Sequence, residues 1–114
     1  MNYEQEIFDN YQALAAKHPS IASKLLEEFG EGEWQDSELC WYPNEEDFAM
    51  YEVEDGWYST FQLNQYTDFN GAPNLLNFLD FKSLGSALVE AWDNSCHFEA
   101  NDGEIVSTEV GFYA

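Results

Sequence analysis

Residues 39–63 read LCWYPNEEDFAMYEVEDGWYSTFQL, and the fold turns on how this stretch pairs. Leu39 to Tyr42 is a short apolar and aromatic run closed by Pro43-Asn44, the pattern of a strand. Residues 47–53 and 57–63 alternate, and Asp55-Gly56 between them is a two-residue hairpin signal. Pairing about that turn puts Phe48, Met50, Trp57, Phe61 and Leu63 on one face, with Tyr51, Val53 and Tyr58 on the other. Aromatics on both faces predict a sheet that is partly covered on both sides.

Upstream, Tyr3, Ile7, Phe8, Tyr11, Leu14 and Ala15 recur at helical spacing, which predicts an amphipathic helix over 3–15. His18-Pro19-Ser20 breaks it, and Pro19 suits the first turn of a second helix running to about Phe29. Ile21, Leu25 and Phe29 form its stripe, and Gly30 is a good stop. Downstream, residues 66–74 read as a loop. Residues 75–81 are nearly all apolar and fit either a buried strand or the lead-in to a helix. Leu84, Ala87, Leu88, Ala91 and Trp92 then mark a helix with Ser83 as its N-cap, slightly weakened by Gly85. A closing hairpin runs from Cys96 to Ala100, through Asn101-Asp102-Gly103, and back along Glu104 to Val110. The sum is a single α+β domain over 1–114. It has an N-terminal helical hairpin, a mostly antiparallel sheet of about five strands built from hairpins, and one further amphipathic helix packed on it.

Charge dominates the composition. The chain carries 23 Asp and Glu against three lysines (Lys17, Lys24 and Lys82) and no arginine, for a formal net charge of −20. Solubility needs a net charge only on the order of 2–8, and self-repulsion beyond that destabilises a compact state. With 45% hydrophobic and 18% aromatic residues the chain has the material for a core, unlike a disordered acidic tail. Adaptation to high salt fits less well, because such a chain is expected to keep arginine and to carry fewer aromatics.

Twelve of the 23 carboxylates fall within 27–55: Glu27, Glu28, Glu31, Glu33, Asp36, Glu38, Glu45, Glu46, Asp47, Glu52, Glu54 and Asp55. No basic residue interrupts them. They lie on a stretch expected to be mostly ordered, so their spacing is fixed. Glu27 and Glu28 sit where a helix ends and oppose its dipole, a local cost. Trp34, Trp41, Tyr42, Tyr51 and Trp57 are interleaved and could act as apolar anchors, with Trp57 placed among the partner-binding residues. The bland alternative is a solvated acidic face with no partner of its own.

The chemistry-bearing residues point away from catalysis. His18 precedes a proline at a helix start. His97 follows Cys96 on an expected strand, so the two side chains should face opposite ways. Cys40, Cys96 and His97 form no metal-ligand spacing, and no cofactor is expected. Asp93 to Glu104 fails as a calcium loop, because its sixth position is Phe98 and not glycine. No phosphate loop, nucleophile elbow or dinucleotide fingerprint occurs. Two cysteines, an acidic Met1–Asn10 without secretory-signal character, and no apolar run near ~18 residues suit a cytoplasmic protein with no membrane role.

The expectation is a non-catalytic acidic protein that binds a basic partner, a nucleic-acid-binding protein or nuclease complex, and no nucleic acid directly. Small size and acidity are the compositional marks of DNA-mimic inhibitors of the phage anti-restriction or anti-CRISPR kind. An immunity protein that neutralises a basic toxin uses the same electrostatics. A dimeric acidic secretion chaperone is the third reading. It would grip clients on apolar grooves and would be a homodimer.

Overall fold

The first helix starts at Asn10, because the Asn10 side chain accepts the Ala13 N–H at 3.0 Å and caps it. In the computed structural model, which describes residues 3–61, 75–92 and 96–113, helix α1 covers Tyr11–Lys17 and helix α2 covers Pro19–Phe29. The expected helical hairpin is therefore present, jointed at His18. Its first residues are not helical. Glu6–Phe8 forms strand β1, paired antiparallel with strand β2, Leu39–Tyr42, in the register Ile7↔Cys40. The helical spacing of Tyr3, Ile7 and Phe8 is a coincidence, and Ile7 is largely exposed.

The expected hairpin over 47–63 is the main correction. Glu45–Glu54 is a helix, α3, and Trp57–Phe61 is a 3-10 turn. Asn44 caps α3 by accepting the Asp47 N–H at 2.8 Å, and Glu45, Glu46 and Asp47 fill the first turn, where negative charge suits the helix dipole. Phe48, Ala49, Glu52 and Val53 form its buried side. Asp55-Gly56 ends a helix rather than turning a hairpin: both N–H groups donate to the Tyr51 carbonyl at 2.8 Å. Leu63 and the 66–74 loop lie outside the described residues.

Leu75–Phe78 is a 3-10 turn leading into helix α4, Phe81–Ala91. The cap is Asp80, not Ser83. Asp80 accepts the Ser83 N–H at 3.1 Å. The closing hairpin is as expected: β3, His97–Glu99, pairs antiparallel with β4, Ile105–Ser107. Among the described residues the sheet has four strands, in the order β1-β2-β4-β3, where about five were expected.

Side chains alternate across this sheet, so its two faces take different partners. Leu39, Trp41 and Val106 face α1 and α2, packing with Leu14, Ile21 and Leu25. Tyr42 and Ile105 face α3 and α4, packing with Phe48 and Leu88. A third cluster, Ala49, Val53, Leu76 and Phe81, joins α3 to α4. Gly85 is what lets these helices approach, since a Cβ there would sit 2.2 Å from the Glu45 carbonyl oxygen. The fold is α+β in three layers, with the sheet in the middle.

Candidate functional site: an acidic stretch and an aromatic cleft

The twelve carboxylates do not share one face. Glu27 and Glu28 are exposed in the last turn of α2, with Glu31, Glu33 and Asp36 exposed just after it. This group lies on the α1–α2 side of the sheet. It is held rigidly, because Trp34 is fully buried and its indole N–H donates to the Gly30 carbonyl at 3.0 Å. Glu38 is exposed where the chain enters β2. The remaining six sit on α3 and its exit, across the sheet.

Within that second group only Glu46 and Asp55 are exposed. Glu45 is half-buried and accepts a hydrogen bond from the Ser86 hydroxyl at 2.6 Å. Asp47 and Glu54 are partly covered, and burial pushes the Asp47 carboxyl up. Asp55 accepts from the Tyr3 hydroxyl. Glu52 is only 9% exposed and faces inward. One lysine approaches the group: Lys82 shares a shallow depression with Glu45 and Glu46. Lys17 is paired to Glu6, on the opposite side.

The expected aromatic anchors are mostly core. Trp34, Trp41 and Tyr42 are buried, and the Trp41 indole donates to Glu104 at 2.8 Å. Tyr51 is half-buried. Trp57 alone of the five stands out, at 57% exposed.

Glu52 and Trp57 open onto a cleft of about 410 Å³ on the α3 side of the sheet. Its walls are aromatic: Tyr42 from β2, Phe48 and Tyr51 from α3, Trp57, and Trp92 just past α4. Its polar groups include three carboxylates beside Ser37, Ser107, Thr108 and His97. Glu52 lies within it, while Glu38 and Glu109 are exposed at its edge. None of the three lysines lines it. Glu52 is fixed there, because its Oε2 accepts the Trp57 backbone N–H at 2.9 Å. Gly56 permits that closeness: a Cβ would meet Glu52 Oε2 at 2.4 Å and Glu52 Cα at 2.7 Å.

The electrostatics of the cleft oppose further negative charge. Burial pushes the Glu52 carboxyl above its ordinary range, against the hydrogen bond from Trp57. Cys40 is raised to about 11, by burial first and then by Glu38, Glu109 and Glu52. A thiol held protonated in this way is a poor nucleophile. Burial and then Glu52 raise the Tyr51 phenol, and burial raises Tyr42. His97 is buried, and its Nε2–H donates to the Val89 carbonyl at 3.2 Å. Cys96 and His97 both border the cleft although they are neighbours on one strand edge. Among the described residues no group of three His, Cys, Asp or Glu is placed to hold a metal ion. No helix among them is long and apolar enough to cross a membrane.

Sequence reasoning missed Glu109 and Trp92 as parts of this site. Glu109 lies outside the acidic run and Trp92 reads only as the end of a helical stripe, and they reach the cleft because β4 pairs with β2 and α4 ends beside β3. No family model, curated protein or solved structure matches the chain.

Proposed function

We propose that this protein is a non-catalytic, acidic inhibitor that occupies the basic nucleic-acid-binding groove of a target protein. The observation that carries this reading is the set of exposed carboxylates on ordered backbone: Glu27 and Glu28 in the last turn of α2, Glu31, Glu33 and Asp36 just after it, and Glu38 next in sequence at the cleft edge. Duplex DNA carries one negative charge per ~1.7 Å of axis, and its binding proteins dock on that lattice through Lys and Arg. Carboxylates on ordered backbone, with no basic residue between 27 and 38 and Lys24 the nearest cation along α2, can engage the same cations. Glu27 and Glu28 support the reading, because charge at a helix C-terminus costs stability and is retained here with no basic residue in that turn. A target of the anti-restriction or anti-CRISPR kind fits. A basic toxin, with this chain as its immunity protein, fits the same charges.

The aromatic cleft favours one other reading, a chaperone-like grip on an apolar client. Its three carboxylates weigh against that, since an apolar client would leave them desolvated and unpaired. The test is capture of a lysate fraction on the immobilised protein, followed by elution with salt. A nucleic-acid-binding protein released by salt and displaced by duplex DNA supports the inhibitor. A client that resists salt and ignores DNA sinks it. A triple variant, Glu31→Gln, Glu33→Gln and Asp36→Asn, removes exposed charge only, so it should fold normally and bind the target more weakly.

A further inference from the structure

We propose that the cleft between α3 and the sheet is an arginine pocket, taking one guanidinium side chain of a basic partner between its aromatic walls and its carboxylates. The inference deepens the inhibitor reading and rests on it for the identity of the partner. Three features of the cleft select this occupant. Its accessible rings are Trp57 and the partly covered Tyr51 and Trp92, with Tyr42 and Phe48 buried behind them, and the negative face of such a ring attracts a cation within roughly 6 Å. Its carboxylates, at the edge and floor, are Glu38, Glu109 and Glu52; no lysine lines it, and the one histidine that does, His97, is buried with its ring N–H turned to the Val89 carbonyl. Its rim carries Trp57 and Val110, both more than half exposed, which supply apolar surface for the side chain's stem.

Arginine fits better than lysine on physical grounds. The guanidinium is planar, stacks on aromatic faces, and is more weakly hydrated than an ammonium, so it is easier to bring into a partly buried site. Its donors can fork to a carboxylate. The volume, about 410 Å³, lies in the range of sites that enclose small ligands. The cleft also explains why a carboxylate sits buried at Glu52, where folding alone would favour an uncharged residue. With a guanidinium bound, that charge is compensated.

The test uses the full-length ¹⁵N-labelled protein and two small probes, N-acetyl-arginine amide and its neutral isostere N-acetyl-citrulline amide. The arginine probe should shift the amides of Glu38, Glu52 and Glu109 and the indole signals of Trp57 and Trp92 saturably, with a dissociation constant on the order of millimolar. The citrulline probe should bind about tenfold more weakly. Trp57→Ala, at an exposed rim position, should keep the folded spectrum and weaken the arginine probe several-fold, as should Glu52→Gln. Equal binding of the two probes, shifts spread evenly over the 27–36 carboxylates, or no saturable shift would each overturn the pocket. The probes need no partner, so this result stands apart from capture and DNA displacement, and either can fail alone.

Discussion

The Glu52 carboxylate accepts the backbone N–H of Trp57 at 2.9 Å, and this bond ties the last turn of α3 to the segment that carries the cleft's exposed indole. The pair fixes the exposed aromatic of the cleft relative to its buried carboxylate. A glutamine can make the same bond without the charge. Burial raises the Glu52 pKa in the fold above its unfolded value, so the folded state holds the proton more tightly. The destabilisation is full above the folded pKa and fades as pH falls toward the ordinary carboxylate range. Asp47, Glu99 and Glu104 are raised as well and act in the same direction, while Glu6, Asp80 and Asp102 are lowered and act against it. Glu52→Gln should therefore melt no lower than wild type at neutral pH. Its melting temperature should also rise less than wild type's as pH is lowered from 7 toward 5. Melting curves across that range check both statements, and a lower neutral-pH melting point would refute the first.

Gly85→Ala should destabilise, reversing the usual preference for alanine in a helix, which is worth about 1 kcal/mol. The new Cβ would sit 2.2 Å from the Glu45 carbonyl oxygen, which is backbone and cannot swing away. Separating α3 from α4 to make room should cost about 1–3 kcal/mol net. Urea denaturation of the two proteins reads it directly, and a stabilised variant would contradict the packing.

Asn44→Ala should lose about 1 kcal/mol, since the Asn44 side chain caps α3 through the Asp47 N–H. A hairpin over 47–63 would have left this substitution nearly neutral. Chemical denaturation distinguishes the two.

The misreading of that segment has a definite cause. Helix α3 carries apolar residues on several sides, Phe48 and Val53 buried and Met50 and Tyr51 partly so, because the sheet, α4 and the Trp57–Phe61 turn all pack against it. No single stripe stands out, so short-range alternation and Asp55-Gly56 dominated the pattern. The capping signal of Asn44 followed by Glu45, Glu46 and Asp47 was present and was the better guide. By contrast, α2, β2, the body of α4 and the β3–β4 hairpin were legible: α2 and α4 each show one apolar stripe, β2 is a short apolar run closed by Pro43-Asn44, and the hairpin turns at Asn101-Asp102-Gly103. The acidic run could be read directly, but its division across the two faces of the sheet could not. The cleft was not legible at all: Cys40, Glu52, Trp92 and Glu109 come from separate parts of the chain and meet only through strand pairing and helix packing.

Glu99→Gln should stabilise the protein at neutral pH. Burial and the neighbouring Glu45 carboxylate push the Glu99 pKa up, and its Oε2 is buried without a hydrogen-bond partner. A glutamine amide donates to Glu45 without needing a proton from solvent. The gain should be about 1 kcal/mol, the size of one hydrogen bond. It should vanish at a pH low enough to protonate Glu99. Thermal melts at two pH values separate this from a general effect of lowering the net charge.

The most direct measurement of the inhibitor reading is to titrate this protein into a preformed complex of the captured target with labelled duplex DNA. Occupation of the same groove requires that the DNA be released, that its apparent dissociation constant rise in proportion to the added protein, and that no ternary complex form. A stable ternary complex, with the affinity for DNA unchanged, would contradict it.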